Sequence, residues 1–69
     1  MSMKIFSERL KQLRKENQLS ALTLSKELNI SHSTLIRWES EEMTPSIEHL
    51  YNIAVYFGVS ADYLIGLED

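Results

Sequence analysis

The sequence contains no cysteine, only one proline and only two glycines among its 69 residues. Without cysteine, the chain has neither a disulfide nor a thiolate metal site to hold it together. It also lacks an apolar run near the ~18 residues that a membrane helix needs, and its N-terminus shows no signal-peptide core. We therefore expect a cytoplasmic protein without a membrane partner, stabilised by side-chain packing alone.

The patterns that usually accompany catalysis are also missing. The sequence has no glycine-rich phosphate loop and no HExxH pair, and its two histidines, His32 and His49, stand far apart without a third ligand or base. A chain this short has little volume for a closed pocket of ~300 Å³ or more. We therefore expect no enzyme, no cofactor, no metal site and no small-molecule ligand.

Basic residues are concentrated near the N-terminus. The net charge is −3, but residues 4–17 carry five bases against two acids, whereas residues 47–69 carry four acids and no base. The segment between them, residues 20–46, has a net charge of −2. This distribution permits one face of the protein to meet phosphate while its far end faces water.

Apolar residues, 43% of the chain, recur at helical spacing throughout, and strand-like alternation is absent. We predict one all-α domain over residues 1–69, a compact bundle of five helices. The predicted helices cover residues 4–17, 21–28, 32–39, 47–57 and 61–65. The side chains predicted to face inward are Phe6, Leu10, Leu13, Leu24, Leu28, Leu35, Trp38, Ile47, Leu50, Ile53, Ala54 and Phe57.

Polar residues and turn formers mark the predicted helix ends. A serine stands directly before each of the last four helices, where its hydroxyl can accept a hydrogen bond from an unpaired amide of the first turn. These N-caps are Ser20, Ser31, Ser46 and Ser60. Asn29, Gly58 and Gly66 suit a left-handed residue after a helix, and Pro45 separates the third helix from the fourth. The second and third helices are joined so tightly that they must cross steeply, which is helix-turn-helix geometry.

Several short motifs occur in a defined order along residues 4–66. They are Arg9-Leu10, Leu13-Arg14, Leu19-Ser20, Asn29-Ile30-Ser31, Ser33-Thr34-Leu35, Arg37-Trp38-Glu39, Thr44-Pro45-Ser46 and the segment 57–66. With these motifs at this spacing, the chain resembles the lambda-repressor and Cro-type helix-turn-helix family, also called the XRE family.

The resemblance implies a transcriptional regulator, a repressor, that binds double-stranded DNA as a homodimer. In this family the third helix lies in the major groove, the second crosses the backbone, and dimers bind two half-sites about one DNA turn apart. The resemblance further implies that Arg14 pairs with Glu39 and ties the first helix to the end of the third. A bacterial or phage-encoded protein acting at the nucleoid is expected.

Four outward residues of the third helix match the family's base-contacting positions: His32, Ser33, Ile36 and Arg37. Their chemistry suits base edges, since Arg37 can bind guanine with two hydrogen bonds and Ile36 can meet a thymine methyl group. Two alternatives remain open at this point. Arg37 can instead pair with Glu41, its i+4 neighbour, and Ile36 can belong to a protein interface.

Contacts to the DNA backbone are expected from the start of the second helix, from the loop after the third helix, from one residue within the third helix and from two lysines of the first. These are Ser20, Ala21, Thr34, Ser40, Thr44, Lys11 and Lys15. The alternative for Thr34 is to stabilise the first turn of its helix, and the alternative for the two lysines is a solvated face.

For the dimer surface the candidates are Tyr63, Leu64, Ile65 and Leu67, although Leu64 also suits the core.

The chain departs from the family pattern where the family contacts phosphate. Ala21 stands in place of the usual glutamine, and Ser40-Glu41-Glu42-Met43 replaces asparagine-glycine followed by basic residues. Because Glu41 and Glu42 would repel phosphate, we expect few cationic contacts and a shallow salt dependence. An alternative function follows from the same acids: an antitoxin-like protein-interaction module on this fold, with weak or lost DNA binding.

Overall fold

The computed structural model describes residues 3–69, and within them it contains five α-helices and no strand. The helices are α1 (Met3–Glu16), α2 (Ala21–Glu27), α3 (His32–Glu39), α4 (Ile47–Phe57) and α5 (Ala61–Ile65). The all-α fold class is confirmed. The last three helices span the predicted residues, while α1 begins and ends one residue earlier than predicted and α2 ends one residue earlier. No helix between residues 3 and 69 is long and apolar enough to cross a membrane.

A small core joins all five helices. Seven large apolar side chains are at most 1% exposed: Phe6, Leu10, Leu24, Leu35, Trp38, Ile53 and Leu64. Phe6 of α1 meets Trp38 of α3 edge to face, with 6.4 Å between the ring centroids. Burial of each such side chain contributes about 1.5–3 kcal/mol. Helices as short as α2, α3 and α5 are unstable alone, so their formation depends on this core.

The prediction that Ile47 faces inward is wrong. Its side chain is 87% exposed, whereas Ile53 and Ala54 of the same helix are buried. Ile47 is the first residue of α4, and its spacing from Leu50 and Ala54 does place it near the apolar side of the helix. Helical spacing fixes the side of a helix that is apolar but not how far along that side the core extends. The core of this small domain ends before it reaches Ile47.

All four predicted N-caps are present. The hydroxyls of Ser20, Ser31, Ser46 and Ser60 each accept a hydrogen bond from the amide three residues later, at 3.0–3.1 Å. Each cap residue has an extended backbone that turns the chain into the helix. Because every helix after α1 is short, these bonds, worth about 1 kcal/mol each, matter for the position of each first turn.

The five helices within residues 3–69 all end in the same way. A residue with positive φ follows each helix, and these residues are Gln18, Asn29, Glu41, Gly58 and Gly66. The amide of that residue donates to the carbonyl three positions back, and the next amide donates to the carbonyl five positions back. This is the Schellman motif. The left-handed ends at Asn29, Gly58 and Gly66 were predicted, whereas those at Gln18 and Glu41 were not, since neither residue type favours that backbone.

The Gln18→Gly variant is expected to be more stable than the wild type. Glycine removes the steric cost of φ 57° at this position, about 1–2 kcal/mol. It also raises the conformational entropy of the unfolded chain, which lowers the stability by about 0.5–1 kcal/mol. We expect a net gain near 0.5–1 kcal/mol, or a rise in Tm of about 2–8 °C by circular dichroism. The control is Gln12→Gly, inside α1, which should lose about 1 kcal/mol. Equal losses in both variants would contradict this account of the helix end.

Candidate nucleic-acid interface

Helices α2 and α3 pack directly against each other through small and branched side chains. Leu24 of α2 and Leu35 of α3 are both fully buried, and Ser25 is 1% exposed. The Ser25 hydroxyl donates to the carbonyl of Leu22, one turn back, at 2.6 Å. This buried serine therefore leaves no unpaired hydroxyl in the core. The two helices and their short connection form a helix-turn-helix.

The side chains of α3 separate into an inner and an outer face. Leu35 and Trp38 anchor the helix in the core. The four predicted base-contacting residues, His32, Ser33, Ile36 and Arg37, are all exposed on the other side. Ile36 is 44% exposed, which is unusual for an isoleucine in the middle of a helix. The outer face therefore offers a cation, polar groups and one apolar side chain at the protein surface; contact with bases stays a prediction.

Arg37 has no ion-pair partner among residues 3–69. The alternative pairing with Glu41 is not formed, since the only salt bridge in the described chain joins Arg14 and Glu39. Glu41 lies in the left-handed turn after α3, with φ 68°, so it does not continue the helical i+4 register of Arg37. The guanidinium of Arg37 is therefore free to meet an acceptor outside the protein.

The hydroxyls at the start of α3 form part of its N-cap. The Ser31 hydroxyl lies 2.7 Å from the Thr34 hydroxyl and 3.2 Å from that of Ser33. Thr34 is also half-buried, which favours its role in the first turn over a contact to phosphate. Ser33 is exposed, but its hydroxyl already shares one hydrogen bond with the Ser31 hydroxyl. A contact between Ser33 and a base would use the remaining hydrogen-bonding capacity of that hydroxyl.

The predicted pair of Arg14 and Glu39 forms a two-pronged ion pair between α1 and the last residue of α3. Arg14 Nε donates to Glu39 Oε2 at 2.7 Å, and Nη2 donates to Oε1 at 3.0 Å. The Nη1 atom donates to the Leu19 carbonyl at 3.0 Å, which also ties down the chain after α1. The hydrogen bonds to Glu39 raise the pKa of Arg14 against the opposing effect of burial. Arg14 thus stays charged at every working pH.

Arg9 has a structural role that the sequence did not reveal. Its guanidinium donates to the carbonyls of Tyr63 and Glu68, the latter at 2.7 Å, and lies 4.2 Å from the centre of the Tyr63 ring. A cation over an aromatic face is attracted to it. Arg9 therefore fastens the end of α5 to α1. A partner more than fifty residues away leaves no local signal in the sequence.

Apart from Thr34 on α3, the predicted backbone-contacting residues lie on two other helices and one loop. Ser20 is the N-cap of α2 and Ala21 its first residue. Ser40 and Thr44 lie in the loop after α3, and Lys11 and Lys15 lie on α1. Two of the hydroxyls are already bonded, since Ser20 caps α2 and Ser40 donates to Glu42 Oε2 at 2.5 Å. The acidic loop therefore holds the Glu42 carboxylate close to the end of α3.

Comparison with known proteins agrees with this architecture. The family described as Helix-turn-helix domain matches residues 7–69. The chain is 34% identical over 65 residues to the HTH-type transcriptional regulator YobD of Bacillus subtilis (strain 168), covering 94% of this chain and 58% of the relative. It is also 34% identical over 64 residues to the HTH-type transcriptional activator BcrR of Enterococcus faecalis, covering 93% of this chain and 31% of the relative.

The chain belongs to the XRE-type helix-turn-helix family of DNA-binding transcriptional regulators. Proteins of this family are generally not enzymes. The chain spans about three fifths and one third of the lengths of the two relatives. No solved structure matches the chain.

The Glu39→Gln variant is expected to lose about 2–4 kcal/mol of unfolding free energy, because it leaves the Arg14 guanidinium without a counter-charge in a site where both side chains are largely buried. Urea denaturation measures this loss. The matched control is Glu16→Gln, an exposed change on α1 that should stay within about 0.5 kcal/mol of the wild type. A similar small effect for both variants would show that the pair does not hold α3 in place.

Proposed function

We propose that the protein is a sequence-specific repressor that binds double-stranded DNA by placing α3 in the major groove. The observation that carries this proposal is the division of α3 into a buried Leu35-Trp38 face and an exposed face whose Arg37 guanidinium has no partner within residues 3–69. A surface cation without a partner on the helix of a helix-turn-helix suits a contact to guanine.

The proposed base contacts divide by chemistry. Arg37 donates two hydrogen bonds to guanine O6 and N7, which gives about 1–3 kcal/mol of discrimination against other bases. His32 and Ser33 donate to or accept from base edges, with Ser33 keeping its link to the N-cap of α3. Ile36 supplies the apolar surface that a thymine methyl group prefers.

The proposed contacts to the DNA backbone fix the position of α3. They come from Ser20 and Ala21 at the start of α2, from Ser40 and Thr44 after α3, and from Lys11 and Lys15 on α1. Thr34 is the weakest member of this set because it is half-buried and bonded to Ser31. Such contacts carry affinity and register, but no sequence information.

We further propose that two copies bind two half-sites, because one helix of eight residues contacts only a few base pairs.

We propose repression and not activation because repression needs only that the bound protein blocks a promoter, whereas activation needs an additional contact with the transcription machinery. One relative, BcrR, is named an activator, so the sign of regulation is part of the test. Both relatives are bacterial proteins, and we place this protein in the bacterial cytoplasm, at the nucleoid.

Selection of bound sequences from a random DNA pool tests the function directly. We expect enrichment of a palindromic site with two half-sites about one turn apart, and less transcript in vitro when that site overlaps a promoter. More transcript would make the protein an activator. If no sequence is enriched, and the chain is not retained on generic DNA at ~50 mM salt, the antitoxin-like interaction module becomes the better function.

The Arg37→Ala variant tests the role of α3. It is expected to relax the preference at one base position of each half-site by about fivefold to 150-fold, the equivalent of about 1–3 kcal/mol. Fluorescence anisotropy with single-base variants of the selected site measures the change. The control is Lys26→Ala on α2, which removes the same charge and should lower affinity for all sequences alike, if at all. An unchanged preference in Arg37→Ala would assign base contact to other residues.

The acidic loop is expected to weaken DNA binding. Glu41→Gln and Glu42→Gln should each raise affinity about threefold to tenfold at ~50 mM salt, because each removes a negative charge near phosphate. The control is Asp69→Asn in the exposed segment after α5, outside the proposed interface, and it should change affinity little. For the wild type, the slope of log K against log salt should be shallower than about −6. A steeper slope would mean that many more cations contact phosphate than we assign.

A further inference from the structure

The exposed face of α3 contains a single apolar side chain. Ile36 is 44% exposed, whereas the other exposed residues of the helix, His32, Ser33 and Arg37, are polar or charged. An isoleucine left partly in water forfeits some of the stabilisation that full burial would give. Nearly half of this side chain is therefore available to a molecule that binds the face.

The size of this apolar surface distinguishes between two kinds of occupant. An apolar patch that docks a protein generally measures several hundred Å², and one partly exposed isoleucine offers only a fraction of that. Its neighbours on the face, Ser33 one turn before it and Arg37 directly after it, are hydrophilic. The methyl group at C5 of thymine is a single apolar group on a base edge in the major groove. The exposed part of Ile36 matches one methyl group better than a protein surface.

Ile36 and Arg37 are consecutive residues, so they can meet neighbouring base pairs. Consecutive Cα atoms are ~3.8 Å apart, close to the ~3.4 Å rise between successive bases of one DNA strand. Arg37 has no ion-pair partner within residues 3–69 and is the residue proposed to bind guanine. The pyrimidine that Ile36 can reach is therefore a direct neighbour of that guanine.

We propose that Ile36 recognises the C5-methyl group itself, so that 5-methylcytosine substitutes for thymine next to the guanine bound by Arg37. This inference rests on the proposed function, since it concerns the same face of α3. An aliphatic side chain neither donates nor accepts a hydrogen bond, so it does not distinguish the O4 acceptor of thymine from the N4 donor of cytosine. It distinguishes only pyrimidines that carry the methyl group from those that lack it.

The consequence is that methylation of cytosine in DNA controls binding. A cytosine at this position becomes a good ligand once its C5 carries a methyl group, although the modification adds no charge and leaves base pairing intact. One methyl group buried against an aliphatic side chain contributes about fourfold in affinity per half-site, the equivalent of ~0.8 kcal/mol. Over two half-sites the factors multiply to about fifteenfold.

Two substitutions in the DNA test the role of the methyl group. In the site selected from the random pool, each thymine is replaced in turn by uracil, symmetrically in both half-sites, and affinity is measured by fluorescence anisotropy. We expect a loss of about fifteenfold at the thymine next to the guanine that the Arg37→Ala variant identifies. At the same position, a 5-methylcytosine·guanine pair should be bound about fifteenfold more tightly than a cytosine·guanine pair.

Variants of the protein assign the effect to Ile36. Ile36→Ala should reduce both methyl effects to about twofold or less, whereas Ile36→Val, which keeps a branched apolar side chain, should retain most of them. The control is Leu22→Ala on α2, which shortens a side chain of similar exposure, 47%, and should keep the full effect. A merely structural role of Ile36 would lower the affinity for thymine and uracil sites equally. Circular dichroism checks that each variant is folded.

Three outcomes would overturn the inference while the proposed function stands. The wild type could bind thymine and uracil equally well at every position, or select a site without thymine next to a guanine whose recognition depends on Arg37. The third is a methyl effect that survives in full in Ile36→Ala, or that Leu22→Ala removes as completely. A wild type that selects no sequence at all would instead contradict the proposed function, and the inference would fail with it.

Discussion

The ion pair between Arg14 and Glu39 is the interaction on which the position of α3 depends. It joins the first helix to the last residue of the helix that carries the proposed base contacts, with two parallel hydrogen bonds at 2.7 and 3.0 Å. The same guanidinium holds the carbonyl of Leu19, just before α2 begins. One side chain therefore sets the relative positions of α1, α2 and α3, and Leu35 and Trp38 fill the space between them.

Sequence reasoning predicted most of the fold because local signals and the core agree. Each serine N-cap and the left-handed residues Asn29, Gly58 and Gly66 mark boundaries that the apolar spacing also indicates. The failures have physical causes. Gln18 adopts a left-handed backbone because Leu19 after it must turn back into the core, a tertiary requirement with no local signal. Ile47 lies beyond the edge of the core, and a helical wheel contains no information about that edge.

The candidate site was predictable as a face but not in its details. The helical register of α3 places His32, Ser33, Ile36 and Arg37 opposite the anchoring residues, and the structure has them exposed. Which of their polar atoms are already bonded depends on three-dimensional contacts: Ser33 reaches into the N-cap, and Arg37 is left without a partner within the described residues because the turn at Glu41 leaves the helical register.

The placement of Trp38 has a practical consequence. It is the only tryptophan in the chain, it is 1% exposed, and it contacts both the Phe6 ring of α1 and the His49 ring of α4. An aromatic side chain in fixed packing gives a near-ultraviolet circular dichroism signal that is lost when the packing loosens. This one indole is therefore a built-in spectroscopic reporter of whether α3 is seated on the bundle, in the free protein or with any partner bound.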